Sequence, residues 1–120
     1  MRQGLIGLLV ALTSTTASAS VLFTKIVDTD TLVPGTDETF VTFGRNIALE
    51  GDTLVFAGAW GSEGDEHFGL FAYDGTFTTI VDENTPIPGG EGNFTIAAFP
   101  ALAGGELAFV GFQLDEEGYP

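Results

Sequence analysis

Oxygen ligands are what this chain offers most of to chemistry. Asp28-Thr29-Asp30 and Asp82-Glu83-Asn84 both have the D-x-[DN] spacing. That spacing sets two oxygen donors on one side of a turning segment, as a hard Ca²⁺ ion requires. Asp28, Asp30, Asp82 and Asn84 are therefore the candidate metal ligands. The same residue types also close turns by accepting nearby backbone N–H groups. The Gly-x₅-Glu continuation of a Ca²⁺-binding helix–loop–helix does not follow in register. Turn chemistry is thus the leading expectation, with Ca²⁺ as the alternative and no other cofactor indicated. A second group, Gly61 to His67, gathers Glu63, Asp65, Glu66 and the single histidine. A carboxylate–imidazole cluster can hold a metal, but one histidine without a second His or Cys partner reads first as a solvated loop.

Other reaction types find less. Gly61-Ser62-Glu63-Gly64 lacks the leading glycine of a nucleophile elbow, because Trp60 occupies that place. Glycoside cleavage needs two carboxyl groups facing each other across a groove, and no pair is singled out by its spacing. Trp60 and Tyr73 could stack on sugar rings, although aromatic residues at strand ends more often pack in a core or at its rim. Asn93-Phe94-Thr95 is a glycosylation sequon. No catalytic residue is assigned, and the chain is not expected to be an enzyme.

Composition removes several classes. The 120 residues hold 3 Lys plus Arg against 17 Asp plus Glu, a formal charge of −14. A nucleic-acid binder needs clustered cations to neutralise phosphates, and a polybasic membrane-surface protein needs them too. Without cysteine there is no disulfide scaffold, thiolate metal site or thiol nucleophile. With 44% hydrophobic residues and 11 Phe, the chain is not a disordered acidic tail.

Residues 1–20 read as an address. Arg2 supplies a positive end, Leu5 to Leu12 an apolar run, and Ala17-Ser18-Ala19 a cleavage motif. The run is shorter than the roughly 20 apolar residues of a membrane span. A signal peptide over 1–19 is expected, leaving no transmembrane segment and a mature chain from Ser20. Its loss removes Arg2 and makes the formal charge −15. The expected location is secreted, extracellular or at the cell surface, with the periplasm as a variant.

The elements that must position these residues come from a repeat. IVDTDTLVPG (26–35) matches IVDENTPIPG (80–89) at an offset of 54, with Phe40 on Phe94. ALEGDTLVFAG (48–58) matches ALAGGELAFVG (101–111) at an offset of 53, so the second copy has lost one residue between Phe94 and Ala101. A period near 50 suits a propeller blade rather than a small helical repeat. Alternating β-branched and aromatic residues predict strands near 21–28, 46–50, 53–59, 68–74, 76–82, 99–103 and 106–112, with no helix after residue 20. Gly51-Asp52 and Asp74-Gly75 are expected as two-residue turns.

The fold class is therefore all-β: antiparallel, blade-like four-stranded meanders in an incomplete array of about two repeats. One full unit lies at about 46–82, flanked by a strand at 21–28 and a partial unit at 94–120. Leu54, Phe56, Leu70, Ala72, Phe77, Ile80, Leu107 and Phe109 are the expected core. In 76–82, Phe77, Thr79 and Val81 are expected on one face, with Thr76, Thr78 and Ile80 on the other.

NTPIPGGEGNF (84–94) followed by FPALAGGELAFVGF (99–112) resembles the T-P-I-P-G-G-x-G-x-F…A-F-x-G tandem repeats of secreted or cell-surface bacterial proteins. Such proteins often carry a C-terminal sorting segment. The resemblance covers nearly all of residues 22–120. It implies a β-propeller-like array outside the cell and carries over no catalytic residue. The expected role is a non-enzymatic surface, structural or binding module with a carbohydrate or protein ligand. The alternative is an extracellular propeller-type hydrolase using carboxylates or Ca²⁺. Two units do not close a ring of roughly 4–8 blades. The sequence is therefore expected to be a fragment of a longer protein, a truncated product, or a chain that associates with itself through unpaired strand edges.

Overall fold

The computed structural model describes residues 9–14 and 21–114. Every regular element among them is a strand. The strands are β1 (Leu9–Ser14), β2 (Val21–Val27), β3 (Phe40–Glu50), β4 (Thr53–Ser62), β5 (Asp65–Tyr73), β6 (Phe77–Asp82), β7 (Ile96–Ala103) and β8 (Glu106–Phe112). They form three antiparallel sheets: β1-β2, β3-β4-β5-β6 and β7-β8. The all-β meander reading holds, and the described strands from β2 onward run as one fourth strand, one complete meander, and a first and second strand.

Several details differ from expectation. β3 begins at Phe40 rather than 46, and β7 at Ile96 rather than 99. The extra residues lie beyond bulges that break the alternation on which the strand limits were read. β5 and β6 are joined through three residues, since Tyr73 pairs with Phe77, whereas Gly51-Asp52 does form a two-residue turn between Glu50 and Thr53. The Gly61–His67 segment is not a loop: β4 and β5 pair up to Ser62 and Asp65 and turn through Glu63-Gly64. Gly64 takes φ +86°, a left-handed conformation that glycine adopts at little cost. Leu9–Ser14, inside the segment read as a signal peptide, is paired to β2. Arg2 and the Ala17-Ser18-Ala19 motif lie outside the described residues, as do 115–120 of the partial unit.

Two apolar clusters lie on opposite faces of the central sheet. Leu54, Phe56, Trp60 and Phe71 pack with Phe40, Leu9, Val27 and Val33 on one face. Val55, Leu70, Val81 and Ala48 pack with Ala97, Phe94, Leu102, Leu107 and Phe109 on the other. The middle sheet is thus covered on both sides, by β1-β2 and by β7-β8. This is why adjacent residues Leu54, Val55 and Phe56 are all buried. Of the expected core, Phe56, Leu54 and Leu70 are buried. Phe77, Ala72, Ile80, Leu107 and Phe109 are partly buried and packed on these clusters. A bulge between Leu70 and Phe71 leaves Ile80 without a cross-strand partner, because Val81 pairs with Leu70 and Thr79 with Phe71. Ile80 and Val81 therefore both join the second cluster while Phe77 joins the first, which corrects the expected alternation.

Candidate functional site

The two D-x-[DN] segments are built alike. Each lies at the end of the last strand of one sheet and leads to the next. The Asp28 carboxylate accepts from the Asp30 N–H at 2.9 Å and from the Thr31 hydroxyl at 3.1 Å, and the Asp28 N–H donates to Thr31 Oγ1 at 3.0 Å. In the second copy the Asp82 carboxylate accepts from the Asn84 N–H at 2.8 Å and the Thr85 hydroxyl at 3.3 Å, and the Asp82 N–H donates to Thr85 Oγ1 at 3.0 Å. Beyond each turn the chain forms a small hairpin, bridged at Leu32–Thr39 and at Pro86–Asn93. It closes with Phe40 N–H donating to Thr31 O at 3.1 Å and Phe94 N–H to Thr85 O at 3.0 Å. The chemistry seen at Asp28 and Asp82 is that of the Asx turn.

Asp28 is only 7% exposed. Lys25 Nζ donates to its Oδ2 at 3.0 Å. That bond, with the Asp30 N–H behind it, holds the carboxyl below its ordinary range. No group of three or more His, Cys, Asp or Glu among the described residues is placed to hold a metal.

The histidine sits on β5, directly across from Trp60 on β4. The rings stack with centroids 5.7 Å apart and planes at 27°. His67 Nδ1 lies 2.9 Å from Glu83 Oε2, and Nε2 lies 3.6 Å from Asp65 Oδ1. A second Glu83 oxygen accepts the Phe68 N–H at 3.3 Å. The Glu83 hydrogen bond is the largest influence on the imidazole and raises its pKa above the ordinary 6.5; desolvation opposes it, and the charges of Glu83, Asp65 and Glu38 reinforce it. Asp65 and Glu83 come together here with His67. The carboxylate–histidine pair holds the β4-β5 hairpin to the turn after β6. In the sequence Glu83 stands only as the middle residue of D-x-[DN]. Its distance from His67 in the sequence hid the pairing. Trp60 is buried under Phe71 and His67, and Tyr73 packs on Phe77 at 4.7 Å, so neither ring is laid open as a sugar platform.

Between the central sheet and β7 runs an apolar groove of about 200 Å³, lined by Thr42, Phe43, Ala57, Phe68, Ile96 and Ala98 among others. No carboxylate lines it. Further along, Glu50 reaches from the end of β3 to the β7–β8 turn. Its two oxygens accept the N–H groups of Gly104 and Gly105 at 2.8 and 2.9 Å. No family model, curated protein or solved structure matches this chain. Among the described residues no helix is long and apolar enough to cross a membrane.

Proposed function

We propose that the chain is an exported, acidic β-repeat module acting as a non-enzymatic surface, structural or binding element. Its ligand would be a carbohydrate or a protein, and its open edges and faces would also favour copies of itself. The observation that carries this reading is the stacking of like sheets. Each turns an equivalent pair of rings toward the sheet before it: Phe40 on Phe56 at 5.8 Å, packed with Leu9 and Val27, and Phe94 on Phe109 at 5.9 Å, packed with Leu70 and Val81. A role built on repetition needs surfaces rather than a reacting centre. The carboxylates support it in kind: Asp28 and Asp82 close turns, Glu83 holds His67, and Glu50 joins two sheets. Export rests on Arg2, the apolar run and the Ala17-Ser18-Ala19 motif.

Two measurements test this. The full chain expressed in a bacterial host should be recovered outside the cytoplasm with Ser20 at its N-terminus. Recovery only in the cytoplasm with residues 1–19 attached would defeat the export reading. Purified protein should co-sediment saturably with envelope or polysaccharide preparations and release no product. Repeated turnover of a glycan, abolished by neutralising two carboxylates, would establish the hydrolase instead.

A further inference from the structure

β1 lies on β2 in the register that β5 adopts on β6. The repeat aligns Val27 with Val81, Lys25 with Thr79, Thr24 with Thr78 and Phe23 with Phe77. Leu9, Val10, Ala11 and Leu12 pair with Val27, Lys25, Thr24 and Phe23. Leu70, Phe71, Ala72 and Tyr73 pair with Val81, Thr79, Thr78 and Phe77. In both pairs the register shifts at the same place, between Leu9 and Val10 and between Leu70 and Phe71, leaving Ile26 and Ile80 as the skipped residues. Burial follows the same rule. Leu9 and Leu70 both turn toward the following sheet and are buried in its cluster. Val10 and Phe71 occupy the opposite face, which leaves Val10 37% exposed among the described residues and is covered by β1-β2 at Phe71.

We infer that the edge of β2 on which β1 lies is a strand-accepting slot. It takes an antiparallel segment with Leu-(Val/Phe)-Ala at these three positions, and residues 9–14 fill it within the full chain. The backbone supplies the ladder, while the bulge at Ile26 and the packing of Leu9 in the cluster with Val27 and Phe56 set the register. The natural occupant is the third strand of a repeat unit of this same type carried by another chain. Where residues 1–19 are removed, as the export reading requires, the slot opens after translocation. The leader then acts as a temporary occupant that keeps an apolar edge covered.

The test uses the full chain and a labelled peptide of sequence FGLFAYD, that of residues 68–74. A double variant, Val10→Pro with Ala11→Pro, blocks the ladder whichever of these adjacent residues turns its N–H toward β2. The peptide should bind this variant at least tenfold more tightly than the unaltered chain. Thr24→Pro added to β2 should abolish that binding, and a peptide of scrambled order should not compete. On the unaltered chain, excess peptide should lower amide-exchange protection over 9–14 and leave 21–27 protected; this second measurement decides if the double variant fails to fold. Equal binding to all forms would overturn the slot. So would dimerisation of the opened variant that the peptide cannot reverse, since β2 edges would then prefer each other. An absence both of binding and of any exchange change on the unaltered chain would overturn it as well.

Discussion

Gly58 and Gly111 stand at equivalent repeat positions for the same steric reason. A Cβ on Gly58 would lie 2.6 Å from the Phe40 ring, and one on Gly111 would lie 2.6 Å from the Phe94 ring. Each phenylalanine closes a sheet by lying flat over a strand that has no side chain there. Gly58→Ala should force Phe40 out of its contacts with Phe71 and Phe56, and cost about 1–3 kcal/mol in chemical unfolding. An unchanged midpoint would show that the ring has room to move. His67 makes the second residue-scale prediction. Its pKa is raised in the folded chain, chiefly by Glu83. The contribution to stability is therefore fully present below the ordinary 6.5 and is lost as pH rises through the raised value. Unfolding midpoints measured from pH 6 to 8 should fall in the parent, with the slope missing in His67→Gln. Asp28 has the opposite sign: its lowered pKa adds stability above 3.8 that disappears as pH falls through the lowered value.

At the scale of elements, the repeat made the sheet order legible, because two copies carry the same turn residues in the same register. Strand faces were less legible. One buried face per strand is a sound default for a sheet against solvent, but the central sheet lies between two others. Val55 and Phe56 are both wanted inside, and period-two reading had to drop one. The single-residue loss between the copies is absorbed in a bulge. Three residues, Gly44 to Asn46, separate paired positions in β3, and two, Phe99 and Pro100, do so in β7. The shorter bulge puts Phe99 at φ +55° and leaves the residue 60% exposed; that backbone conformation is rare for a bulky residue. The D-x-[DN] residues were found by their spacing and serve as Asx turns. The His67–Glu83 pair was invisible because it joins a residue of β5 to the turn after β6, which only the sheet brings together. Glu50 was invisible too. Its counterpart in the second copy is Ala103, so no repetition marked it. Removing its clamp on Gly104 and Gly105 with Glu50→Ala should cost about 1 kcal/mol. It should also raise amide exchange in β7–β8 more than in β5–β6; uniform change would contradict a local clamp.

For the whole molecule, stacking is face to back. Among the described residues, one end of the stack presents the outer side of β1-β2, where Phe23 is 75% exposed; the other presents β7-β8, with Val110 52% exposed beside Ala108 and Ala101. These faces correspond to ones that meet inside the chain: Phe77, the counterpart of Phe23, is packed on Phe56. Contact between copies would be heterologous and would leave the same two faces free after each addition. β8 adds a further edge that no strand covers among the described residues. The formal charge of −14 opposes such contact. Screening to a Debye length of about 8 Å near physiological salt relieves it. Sedimentation at rising protein concentration should show association that strengthens with salt. A monomer throughout, in low and high salt, would contradict this.

The central sheet also has a mechanical character. Its chain enters at Phe40 and leaves at Asp82, on opposite edges but at the same end, since Phe40 pairs with Trp60, Trp60 with His67, and Gly69 with Asp82. Tension drawn through the chain therefore peels the two outer strands from that end, breaking the ladder bonds in turn rather than shearing them together. Residues 40–82 would pay out about 150 Å at roughly 3.5 Å per residue. In single-molecule stretching the sheet should yield at low force and independently of its neighbours, as a compliant link; one abrupt high-force rupture of the whole chain would contradict the peeling geometry.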